Sequence, residues 1–188
     1  MVHHFIKVIK NSLRNLSQGA MFISLAVGSG FALVLVPNVE LITSIVFLSG
    51  AYLGSRWGMV IGGIAEFLFS ALNPMGSGFV FFPILIAQVL GMMLVGAVGG
   101  FFEKFFLTKE WSSKKRVLLG ITGFFLTFQF DALTTFSYPL AMGYPMMQSF
   151  AIFFSGIAFT FIHQITNGII FALILPKVFI RLKLLNMS

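Results

Sequence analysis

Two carboxylates, one imidazole and two carboxamides stand inside runs that are otherwise almost wholly apolar: Glu66, Asp131, His163, Gln88 and Asn167. An ionisable side chain at the centre of a bilayer costs about 2.5–3.5 kcal/mol on insertion scales, so each must face protein and find a partner. Helical spacing groups them. Glu66, Ser70 and Asn73 share a face, as do Thr127, Asp131, Thr134 and Tyr138, and Thr160, His163 (or Gln164) and Asn167. Acids, amides and the phenols of Tyr138 and Tyr144 suit recognition of a small neutral or cationic ligand with a ring. Glu66 and His163 fall at similar depth, which fits either a structural pair or a proton relay. For Ser70, Thr127 and Thr160, ordinary hydrogen bonding between helices competes with any ligand role.

Catalysis finds little to work with. Ser155 and His163 lie eight residues apart on one helix, about 12 Å along its axis, too far for the hydrogen bond that activates a serine. No His-Glu-x-x-His or other metal spacing occurs, and the chain has no Cys. His3 and His4 sit in a basic amino-terminal stretch. No G-x-x-x-x-G-K-[ST] stretch is present to cradle a nucleotide phosphate, so ATP-driven work would need another subunit. No catalytic residue, metal or cofactor is expected.

The elements that must position these groups are apolar runs at Leu16–Val36, Leu41–Gly54, Trp57–Leu72, Phe79–Phe102, Val117–Tyr138 and Phe150–Leu175. With 58% hydrophobic and 9% charged residues, the chain lacks the polar groups to cover a water-facing surface, so lipid is its solvent. The net charge of +7 follows topology and does not point to nucleic acid. With six crossings and a cytoplasmic start, the inner segments hold Lys7, Lys10, Arg14, Arg56, Lys104, Lys109, Lys114, Lys115, Arg116, Lys177, Arg181 and Lys183, which is all twelve Lys and Arg. Merging the short second and third runs would put eight of these outside, against the positive-inside rule. The sequence therefore predicts an all-α integral membrane protein. It is a single domain, 1–188, with helices at about 16–36, 38–55, 57–73, 79–102, 117–138 and 148–176 and both termini cytoplasmic. The basic start before the first run is read as leading into a retained helix, since the run is too long for a signal peptide.

External loops at Pro37–Glu40, Asn73–Gly78 and Pro139–Gln148 carry Pro and Gly and no basic residue, so they cap the bundle or line a cavity. Glu103–Arg116 is a basic inner loop suited to docking. Ala20, Ser24, Gly28 and Ala32 recur every fourth residue on the first helix, a ridge for close packing within the bundle or against a partner. The segments 58–63 and 95–100, each ending in paired glycines, read as two closely packed helix faces.

Several stretches in this order resemble the substrate-binding S components of energy-coupling factor (ECF) transporters. They are Pro-Asn-Val-Glu-Leu-Ile-Thr (37–43), Asn-Pro-Met-Gly (73–76), Ala-Gln-Val-Leu-Gly-Met (87–92), Phe-Asp-Ala-Leu-Thr-Thr (130–135) and His-Gln-Ile-Thr-Asn-Gly (163–168). The resemblance covers nearly the whole chain. It implies capture of a vitamin or cofactor precursor in the outer half of the fold. A transmembrane coupling subunit and two cytoplasmic ATPases would then complete delivery across a bacterial plasma membrane. It puts Asn38 and Glu40 in a gating loop, Asn73 in the next loop, and Gln88, Asp131 and Asn167 in the pocket. Ala20, Ser24 and Gly28 become the coupling surface, although that family often carries alanine where Ser24 and Gly28 stand. With Thr134, Tyr138 and His163 from the spacing argument, these form the expected substrate-binding set. An autonomous proton-coupled carrier and a noncatalytic membrane scaffold are the alternatives.

Overall fold

The computed structural model of the chain describes residues 2–76, 78–106 and 110–185, with side chains over 12–76, 78–105 and 110–182. Ser77 and Lys109 lie outside the described residues, as do the side chains of His3, His4, Lys7, Lys10 and Lys183. Every regular element among the described residues is helical: α1 (Val2–Leu33), α2 (Ile42–Leu53), α3 (Ser55–Leu72), a 3-10 turn at Gly78–Val80, α4 (Phe82–Phe101), α5 (Glu103–Phe106), α6 (Ser113–Ala141), α7 (Met146–Ser155), α8 (Ile157–Leu173) and α9 (Leu175–Leu185). Four helical stretches are long and apolar enough to cross a membrane: Ser12–Leu33, Phe82–Phe101, Ser113–Ala141 and Ile157–Leu182. They turn large apolar side chains outward, among them Leu25, Leu94, Phe125 and Ile169. Apolar surface on this scale is a surface for lipid or for other membrane helices.

Boundaries depart from the apolar runs for local reasons. At its amino end α1 runs into the basic stretch, where Lys and Arg are good helix formers. At its other end the chain leaves the helix at Leu33, and Asn38 takes a left-handed φ of 59°, which a short polar side chain tolerates. α6 begins before its apolar run because Ser112 caps it, its hydroxyl accepting from Lys115 N–H at 3.3 Å. The last predicted helix is divided in three. Gly156 interrupts it at φ −90°, ψ −3°, and Ile174 does so just before Pro176, which has no N–H to continue the ladder.

α2 is the axis of the packing. Its 12 residues rise about 18 Å, short of a ~30 Å hydrocarbon core, and every side chain from Ile42 to Ala51 is buried. A helix apolar all round belongs inside protein, and α1, α3, α4, α6 and α8 enclose this one. Phe47, fully buried, meets Phe171 of α8 with ring centroids 5.1 Å apart.

Glycine sets how closely α2, α3 and α4 approach. A Cβ on Gly58 would overlap the backbone of Gly96 and Gly50, and a Cβ on Gly96 would overlap the backbone of Gly58. Gly62 meets Met92 backbone in the same way, and Gly99 meets Phe47. The two glycine-paired segments therefore lie where α3 and α4 meet, with Gly99 turned to α2. Between α2 and α3 the chain reverses at Gly54, with φ 91° and ψ 161°, a conformation reached essentially by glycine alone. Gly54→Ala is expected to cost ~1–3 kcal/mol, read as a lower unfolding midpoint in detergent.

Candidate functional site

Glu40 ends the loop between α1 and α2 and does two things at once. Its Oε2 accepts Thr43 N–H at 2.9 Å, satisfying one of the orphan donors at the start of α2 and placing negative charge where the helix dipole favours it. Its Oε1 accepts Asn167 Nδ2–H at 2.8 Å, across 127 residues of sequence. Burial alone would raise the Glu40 carboxyl. The His163 imidazole and the Thr43 donors outweigh burial and hold it below the usual carboxylate range.

His163 stands between two acids. Its Nδ1 donates to Asp131 Oδ1 at 3.0 Å, and its Nε2 lies 3.8 Å from Glu40 Oε1. Gln164 Nε2 donates to Asp131 Oδ2 at 3.4 Å. One loop residue, one α6 residue and three α8 residues thus form a connected cluster, with Asp131, Gln164 and Asn167 buried. Asn167 is fully buried, and its Oδ1 has no hydrogen-bond partner. That leaves one acceptor beside Glu40 free for a donor.

A cavity of about 290 Å³ opens beside this cluster. Its polar lining is Asn38, Glu40, Asn73 and His163, and its aromatic lining is Phe69 and Phe159. It sits where the carboxyl ends of α1 and α3 meet the amino-terminal half of α8. The wall includes Gly30, where a Cβ would press on Ile42 at 2.6 Å and on Phe69 at 2.8 Å.

Four of the nine expected binding residues, Asn38, Glu40, Asn73 and His163, therefore line one cavity. Asp131 and Asn167 hold that lining from behind. Gln88 belongs to a separate buried group: Ser70 Oγ lies 2.8 Å from Gln88 Oε1 and 3.0 Å from Glu66 Oε1. A hydroxyl carries one hydrogen, so Ser70 donates to one of these two acceptor oxygens at a time. Glu66 and His163 do not pair: Glu66 meets Ser70 on its own helix, whereas His163 meets Asp131 of α6 and Glu40 of the loop before α2. Thr134 turns its hydroxyl back to the carbonyls of Phe130 and Asp131 at 3.0 and 3.1 Å. Tyr138 is exposed and packs on Phe81 and Tyr144, with centroids 5.2 and 6.2 Å away.

Phe69 and Phe159 were not among the expected residues. Each precedes a lining polar residue by four positions (Phe69 before Asn73, Phe159 before His163), which puts it on the same helix face. That signal is faint in a chain with 25 Phe. On α1, Ala20, Ser24, Gly28 and Ala32 are exposed, while Gly19, Ala26 and Gly30 face the bundle. Nothing lies within 4 Å of a Cβ built on Gly28. Ser155 is exposed and donates to Ile152 O at 2.7 Å. Among the described residues no three His, Cys, Asp or Glu gather to hold a metal ion. No known family, curated protein or solved structure matches the chain.

Proposed function

We propose that the chain is the substrate-binding S component of an ECF transporter. It captures a small vitamin-like molecule from outside a bacterial cell and has no catalytic activity of its own. In this reading six segments cross the plasma membrane and both termini are cytoplasmic. The short α2 and α3 serve as the second and third crossings, and the broken α7–α9 stretch supplies the last. The observation that carries the reading is the cavity at Glu40 and His163. It lies under the loop that joins α1 to α2, at helix ends whose neighbouring loops contain no Lys or Arg. Its acidic and amide groups, set between two phenyl rings, favour a neutral or cationic ring over an anion. The exposed Ala20–Ser24–Gly28 ridge offers close backbone approach to a transmembrane coupling subunit, which would recruit two cytoplasmic ATPases.

Metabolites that co-purify with the protein, identified by mass spectrometry, supply the ligand for affinity measurements. Glu40→Ala and His163→Ala are each expected to weaken its binding about tenfold or more, since a hydrogen bond involving a charged group contributes ~1.5–3 kcal/mol. Unchanged affinity in both variants would remove the cavity from the reading. In liposomes the chain alone should show no ligand flux driven by a pH gradient; such flux would favour an autonomous proton-coupled carrier instead.

A further inference from the structure

Two further hollows meet on the opposite half of α1. One, of about 410 Å³, is predominantly polar and includes Arg14, Asn15, Gln18 and Glu103 in its lining. The other, of about 780 Å³, is an apolar groove running past Ala20, Met21, Ser24 and Leu25, with Leu182 of α9 on its flank. Gln18 and Tyr52 line both, so the polar hollow opens into the groove.

The dimensions and charges belong together. From Arg14 to Leu25 is eleven helical steps, about 16 Å, close to the ~15 Å depth of one leaflet's hydrocarbon. Arg14 lies just inside the amino-terminal boundary of the apolar span, from where a long basic side chain can reach out to the head-group region. Basic pockets at that level between membrane helices are seats for lipid head groups. Here a carboxylate shares the pocket. Arg14 and Glu103 are both exposed, and among the described residues neither makes an ion pair. Opposite charges that face one hollow without closing on each other leave room for a ligand carrying both signs. A purely anionic head group would satisfy Arg14 and be repelled by Glu103.

We infer that this paired hollow binds one phospholipid with a zwitterionic, primary-ammonium head group: phosphate at Arg14, ammonium at Glu103, and an acyl chain along the α1 groove. The Arg14 guanidinium donates to phosphate oxygens, and the Glu103 carboxylate accepts from the ammonium. Ser24 and Ala20 let the chain lie close to the helix backbone, as small residues do for a neighbouring helix. The lipid would cover part of the ridge assigned above to a coupling subunit, so the two would exclude each other. The inference needs a membrane but not the transport reading, and lipid titration and metabolite capture can fail separately.

The test uses the full-length protein, stripped of lipid in a neutral detergent. It is titrated with phosphatidylethanolamine and phosphatidylglycerol of identical chains, and bound lipid is counted by native mass spectrometry. Phosphatidylethanolamine should bind about fivefold more tightly, the ratio expected for one favourable charge contact at a membrane surface. Glu103→Gln should abolish that preference, and Arg14→Gln should weaken phosphatidylethanolamine by a similar factor. Ser24→Trp fills the groove and should weaken both lipids; Met21→Trp fills it from the neighbouring position and serves if the first variant does not purify. Equal or tighter binding of phosphatidylglycerol by the unaltered protein would overturn the proposal. So would a preference that survives Glu103→Gln, or lipid binding that ignores a filled groove.

Discussion

Gly96→Ala is expected to be among the most damaging single-methyl changes in this protein. The added carbon would overlap the carbonyl group and Cα of Gly58, which are backbone atoms on a helix clamped between α2 and α4. A side chain in the way can rotate, whereas backbone moves only when the helix does. Overpacking typically costs ~1–3 kcal/mol, and a clash without a rotamer escape belongs at the top of that range or above it. The same argument applies to Gly58→Ala. The control is Gly28→Ala, where the new methyl meets nothing within 4 Å and a helical φ suits alanine. That change should be neutral or stabilise by about 0.4–1 kcal/mol through the unfolded chain. Unfolding midpoints in one detergent, with monodispersity checked by size exclusion, decide the matter. Equal midpoints for Gly96→Ala and Gly28→Ala would mean that α3 and α4 are not in backbone contact.

The contrast between these glycines shows what sequence can and cannot reveal. Paired glycines at 62–63 and 99–100 mark surfaces for close approach, and hydropathy alone marks where helices run. Which glycine meets which backbone is a tertiary fact, because nineteen glycines at similar spacings offer several registers. The ridge on α1 was ambiguous for the same reason. Ala20, Ser24 and Gly28 keep to one face and Ala26 and Gly30 to another, and only packing decides that the second face is the inner one.

The polar site was legible by type and incomplete by partner. An acid or imidazole in an apolar run must have company, and helical spacing correctly set His163 and Asn167 on one face. Depth along a crossing does not reveal rotation about the helix axis, however. Glu66 and His163, expected at similar depth, point to different neighbours, Ser70 in one case and Asp131 with Glu40 in the other. Asn38 and Glu40 stand in the expected loop Pro37–Glu40 but also within the helix expected at about 38–55, and the structure corrects the latter, since α2 begins only at Ile42. Their reach into the cavity depends on the left-handed turn at Asn38 and on the Asn167 contact, and neither follows from composition.

Asp131→Ala is expected to have the other large effect, because it strips one acceptor group from two donors at once. His163 Nδ1–H and Gln164 Nε2–H both end on that carboxylate, and both would be left facing a buried gap. Leaving a buried donor without its acceptor costs about 1–3 kcal/mol, and here two donors lose theirs together. Asp131→Asn keeps an acceptor for one of the two donors and should cost less than the alanine change. Combining Asp131→Ala with His163→Ala removes a donor together with its acceptor. The double variant should therefore be more stable than the sum of the single losses by about 0.5–3 kcal/mol, the usual coupling for residues in direct contact. Gln88→Ala supplies the comparison, since its contact runs to Ser70 and not to this cluster, and it should add to Asp131→Ala without coupling. Denaturation in a single detergent across the four-member cycle measures both terms. Additive losses for Asp131 and His163 would show that the two side chains do not touch in the folded protein, and the arrangement that holds His163 at the cavity would fall with them.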